Sequence, residues 1–84
     1  MIYSLQDTID MLDAIAAGIN PGRAPVLHGA VTLALHIKAD DAELVALVYE
    51  LEQYVLGKVD RLSPEVEARA GLVASRLRHA HGSH

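Results

Sequence analysis

Cysteine, phenylalanine and tryptophan are absent from this 84-residue chain. Without cysteine there is no disulfide framework, and no zinc-ligand spacing stands in its place. The lack of cysteine also fits a reducing cytoplasm, where the protein is expected to reside. The aromatic residues are only Tyr3, Tyr49 and Tyr54. None lies among the basic residues of the C-terminal third, so a base-stacking platform for nucleic acid is missing. Positive charge is also scarce: Lys and Arg number 7 against 11 acids, giving a net charge of −4. That balance argues against a nucleic-acid footprint, which needs clustered Lys and Arg. Long apolar runs are lacking too. The longest, Val26 to Ile37, contains His28, Thr32 and His36 and is too short to span a bilayer, so no membrane insertion is expected. The first seven residues hold no basic segment, and no signal peptide is expected.

What is present is aliphatic side chain. Hydrophobic residues make up 51% of the chain, carried by Leu, Val, Ile and Ala. A chain of this length forms one domain, residues 1–84, and buries only about 60–65% of the surface its unfolded form exposes. With neither disulfide nor metal to add stability, oligomerisation is the remaining way to complete the core.

The apolar spacing predicts four helices and no strand. The first runs from about Leu5 to Ala17, with Ser4 as N-cap, Asp7 in the first turn and Gly18 at the C-terminal stop. Leu5, Ile9, Leu12, Ala16 and Ile19 form its buried stripe. Asp7, Asp10 and Asp13 lie away from that stripe and read as a solvated face, since a calcium loop needs denser ligands and a Gly turn. The segment Ile19-Asn20-Pro21-Gly22-Arg23-Ala24-Pro25 ends the helix and reads as a connection. The second helix is predicted over Pro25 to Lys38, and the third from an Asp40 or Asp41 cap to Asp60, with Gly57 marking a kink or an early end. Ser63-Pro64-Glu65 opens the fourth, which runs to about His79. Its buried stripe is Val66, Ala70, Val73, Leu77 and Ala80, with Leu72 off it.

The two central helices carry more apolar surface than one core needs. On the second, Val26, Ala30, Leu33, Ala34 and Ile37 share one face, and Leu27, Val31 and Leu35 form a stripe beside it. The resulting arc spans roughly 200°, about twice what a surface helix requires. On the third, Leu44, Leu47, Val48, Leu51, Val55, Val59 and Leu62 make one stripe, and Val45, Tyr49 and Leu56, interrupted by Glu52, make another. We therefore assign Val26, Ala30, Leu33, Leu44, Val48 and Leu51 to the internal core. Val31, Leu35, Val45, Tyr49 and Leu56 are assigned to a protein interface. Tyr49 and Tyr54 are expected at its rim, with wet hydroxyls.

No constellation for chemistry stands out, so no enzyme, cofactor or metal is expected. His28 and His36 share a strip but stand eight residues apart, about 12 Å along a helix, too far for one ion. His79, His81 and His84 belong to a tail, 79–84, that is expected to fray. His28 lacks a Lys in the position that phosphotransfer domains use. The serines show no base or oxyanion context. Gly18, Gly22 and Gly29 make no phosphate-binding pattern. Arg69, Arg76, Arg78 and His79 give the last helix a weakly basic edge, which reads as ordinary solvated charge.

Ala24-Pro25-Val26-Leu27-His28-Gly29-Ala30-Val31-Thr32, followed by Leu47-Val48-Tyr49-Glu50-Leu51-Glu52, resembles the small helical YmgB/AriR-type family. That family is linked to biofilm formation, acid resistance and two-component signalling. The resemblance covers roughly half of the chain and implies a short, all-helical dimer that acts by binding other proteins. The basic pair that the family often carries between its long helices is missing here, where Lys38-Ala39-Asp40-Asp41 stands. No functional residue is carried over.

The expected fold is thus all-α: four helices with the second and third as a central antiparallel hairpin. The expected function is a non-enzymatic interaction module, a regulatory or adaptor protein that self-associates, a dimer being favoured. The alternatives are a dedicated chaperone or immunity-type protein covering one hydrophobic partner, and a helical DNA-binding regulator that would need the last helix's arginines to face one way.

Overall fold

A computed structural model describes residues 5–35 and 41–81, the side chains of Ala80 and His81 excepted. Ser4, His36, Ile37, Lys38, Asp40 and His84, and the buried position given to Ala80, lie outside what is described. The chain is all-α, with α1 at Leu5–Ala16, α2 at Arg23–Leu35, α3 at Ala42–Val55 and α4 at Pro64–His81. Each helix packs against two others, in the cyclic order α1, α2, α3, α4 and back to α1. Neighbours run antiparallel: Met11 lies against Gly29, Ala16 against Gly71, and Asp41 against Arg76. The Cα radius of gyration, 11.7 Å, matches the roughly 12 Å expected of one compact unit of this length.

The starts of α3 and α4 follow from single side chains. Asp41 Oδ1 accepts the Leu44 amide at 3.1 Å, and Ser63 Oγ accepts the Val66 amide at 3.3 Å. Each satisfies an amide that lacks a partner within the helix. The second helix begins two residues before the expected Pro25. Asn20 Oδ1 takes the Gly22 amide, and the Gly22 carbonyl accepts the first helical bond, from Val26. Pro25 then sits within the first turn, where its missing N–H costs nothing.

The ends of α1 and α3 share one motif. Gly18 and Gly57 both adopt φ +80°, the left-handed region that a side chain disfavours. Ile19 N–H donates to Ala14 and Gly18 N–H to Ile15; Lys58 N–H donates to Gln53 and Gly57 N–H to Tyr54. In both ends the final carbonyls are satisfied by the reversed chain. This corrects the expected length of α3, which ends at Val55 and not at Asp60. The apolar period continues through Val59 and Leu62, but the backbone turns away at Gly57, leaving Val59 exposed.

The core holds Leu12 and Ile15 of α1, Val26 and Leu33 of α2, Leu47 and Leu51 of α3, and Val66, Ala70 and Ala74 of α4. All six residues assigned to the internal core of the central hairpin are buried. The stripe expected on α1 is rotated. Thr8, Met11 and Ile15 are buried, whereas Ala16 is exposed and Ile19 is 60% exposed. Two neighbours share α1: Met11 lies over Gly29 of α2, while α4 comes close at the helix end, with a Gly71 Cβ position 3.4 Å from Ala16 Cβ. Among the described residues no buried side-chain polar atom lacks a hydrogen bond, and no helix is long and apolar enough to cross a membrane.

Candidate functional site: the outer face of the second and third helices

The side chains that fill the core from α2 occupy one side of it. On the opposite side, the exposed residues are Arg23, Ala24, Leu27, His28, Val31, Ala34 and Leu35. Five of these seven are apolar. A helix that is apolar all round belongs in the interior of an assembly, yet α2 has one long side in water.

The third helix presents a matching row. Val45, Tyr49, Glu52 and Leu56 recur at helical spacing on its outer side, and all are exposed. The five residues assigned to an interface are all placed in water by the fold. Leu35 is 80% exposed, Leu56 65% and Tyr49 59%, and Val31 and Val45 are each about half exposed. A groove of about 290 Å³ runs between the two helices, lined by Leu27, Ala30, Val31, Ala34, Val55, Leu56 and Glu52. Val31 and Leu56 thus share its walls. Leu35 lies one turn beyond Val31, and Val45 and Tyr49 continue the Glu52–Leu56 row. Sequence reading missed Leu27, which its own stripe with Val31 and Leu35 already indicated.

Tyr54 does not belong to this surface. It is only 6% exposed, and its hydroxyl donates to Asn20 Oδ1 at 2.6 Å. This corrects the expectation of a rim residue with a wet hydroxyl. Its ring completes the core, and its polar end finds a partner 34 residues away in the α1–α2 connection.

Two arginines of the basic edge of α4 are engaged within the chain. Arg76 pairs with Asp41 at 3.0 Å and lies 3.7 Å from Glu43, and Arg78 pairs with Asp13. Asp41 therefore caps α3 with one oxygen and holds Arg76 with the other. Asp13 belongs to the row read as solvated. It is exposed, and it joins α1 to α4.

The rest of the fold offers less for chemistry. His28 and His79 are exposed, on different helices. Among the described residues no three His, Cys, Asp or Glu side chains converge. A second cleft, about 680 Å³, opens at the end of the bundle between the α1–α2 and α3–α4 connections, beside Ile19, Asn20, Arg61 and Glu67. Its buried polar end, the Tyr54 hydroxyl, already holds Asn20.

No protein-family model, no curated protein and no solved structure matches the chain. The site is therefore read from its own chemistry.

Proposed function

We propose that this protein is a small non-enzymatic interaction module, a regulatory or adaptor protein, that self-associates through the outer face of α2 and α3. The observation that carries this reading is the apolar continuity of Leu27, Val31, Leu35, Val45, Tyr49 and Leu56, all in water in the single chain. Apolar patches of this kind, several hundred Å² in one place, mark interaction sites in soluble proteins. The resemblance to the YmgB/AriR-type family points the same way, toward a short helical dimer acting on other proteins in the cytoplasm. The DNA-binding alternative has less support, because Arg76 and Arg78 are committed to Asp41, Glu43 and Asp13.

Sedimentation equilibrium tests the reading. The wild-type chain should exceed its 9.0 kDa monomer mass at tens of micromolar, where mass action favours a moderate-affinity dimer. Leu35→Asp should shift the protein toward monomer while keeping its helical circular dichroism. Leu51→Asp, at a fully buried site, should unfold the chain, because an unpaired buried charge costs several kcal/mol. A wild-type chain that stays monomeric, or equal loss of helicity in both variants, would refute the assignment of this face.

A further inference from the structure

The outer face of α2 and α3 is not wholly apolar: Glu52 projects from the groove wall, and Arg23 heads the exposed row Arg23, Leu27, Val31 on the facing helix. The ion pairs seen among the described residues join Arg76 and Arg78 to Asp41, Glu43 and Asp13, and none of them engages Glu52 or Arg23. The Arg23 Nη2 atom lies 3.6 Å from the Cβ position of Gly57, which puts the guanidinium at the C-terminal end of α3. Gly57 is five residues past Glu52, about 7.5 Å along the helix. A cation and an anion thus flank the groove at two levels of one face, with Leu27, Val31 and Leu56 around them.

That arrangement is self-complementary. A twofold axis crossing the groove midway between the two levels exchanges them. It sets Glu52 of one copy against Arg23 of the other, twice, around a shared apolar seam. The area agrees with a second copy as occupant. Complete burial of the exposed parts of Leu27, Val31, Leu35, Val45, Tyr49 and Leu56 would remove roughly 700 Å² per chain, or about 1,400 Å² in a pair, within the about 1,200–2,000 Å² typical of specific interfaces. We propose, resting on the self-association reading above, that the occupant of this face is a second copy of the chain. It docks with twofold symmetry, and reciprocal Glu52–Arg23 ion pairs fix its register and exclude partners lacking that charge pattern. Such pairs set orientation and choice of partner more than raw affinity.

Charge reversal across two chains provides the test. Glu52→Arg and Arg23→Glu are made separately, and each is checked by circular dichroism and melting to be folded. In each variant alone, both cross pairs become like-charged, and the dimer dissociation constant should rise at least tenfold. Mixing the two variants should restore association, because in the mixed dimer both cross pairs are again oppositely charged. The two introduced side chains face each other, and the unaltered Glu52 of one chain faces the unaltered Arg23 of the other. Only a contact between chains gives that rescue, and it should weaken as salt rises. If Leu35→Asp disrupts the dimer but neither charge reversal does, or if the mixture fails to recover, the ion-pair register is wrong and the face still stands. If the wild-type chain is monomeric up to 100 µM, the face belongs to a different protein, and both this inference and the proposed function fall.

Discussion

At the scale of the residue, Tyr54 ties two distant parts of the chain with one hydroxyl. Its hydroxyl bond and the Gly22 amide converge on one acceptor, Asn20 Oδ1. Tyr54→Phe removes a single donor and leaves the ring in place. The acceptor keeps the Gly22 amide and faces water, so no buried group is orphaned. The cost should be about 0.5–1.5 kcal/mol, seen as a fall in Tm of some 4–8 °C per kcal/mol in a domain this small. Asn20→Ala removes both bonds, should cost more, and should leave Tyr54→Phe with little further effect when the two are combined. An unchanged melting point for Tyr54→Phe would show that the bond contributes nothing net. The role of Tyr54 was not legible in the sequence. Position 54 lies next to the apolar stripe of α3, and periodicity cannot tell a buried phenol with a partner 34 residues away from one at a rim. Asp41 and Ser63 were legible, because a cap acts on amides three residues ahead.

At the scale of the element, the two glycine-terminated helices decide where the bundle ends. Gly57 stands at φ +80° with ordinary space around a Cβ, so Gly57→Ala isolates the backbone cost. Placing an L side chain in that conformation costs roughly 1–2 kcal/mol, to be read from urea unfolding with an unchanged slope. No loss of stability would mean that α3 can lengthen past Val55 when offered the chance. This is also where sequence reading overran. The period of α3 runs on into Val59 and Leu62, and pattern alone cannot weigh continuing apolar spacing against one glycine. The first helix shows the converse. Its buried side differs from the expected stripe by some 40–50° of rotation, toward Met11 and Ile15, because α1 also packs on α2, where Met11 lies over Gly29. Helix–helix seams of small residues are set by tertiary packing, which no single stripe encodes. The double stripe on α2 and α3, by contrast, sorted largely into core and water, since two arcs on one cylinder cannot both face the same core; of the inner stripes Ala34 and Val59 are exposed, and Ile37 lies outside the described residues.

At the scale of the whole molecule, the helices form a ring in which each contacts the next in sequence and the α1–α4 seam closes it. Three of the four contacts therefore close short loops, and one closes nearly the full length. Loop closure costs entropy before the contact returns it. The bundle should accordingly fold in the microsecond-to-millisecond range of low contact order, with the α2–α3 hairpin early and the ring closed last. In the monomeric Leu35→Asp background, Leu33→Ala should mainly slow refolding, and Val66→Ala should mainly speed unfolding. Stopped-flow chevrons would separate them, and the reverse pattern would place the α1–α4 seam in the nucleus. If the seam closes last in those chevrons, it should also be the part of the fold that opens first. A chain caught with α4 lifted from α1 bares Leu12 and Val66 while its central hairpin stays formed, an arrangement in which two chains can exchange their last helices.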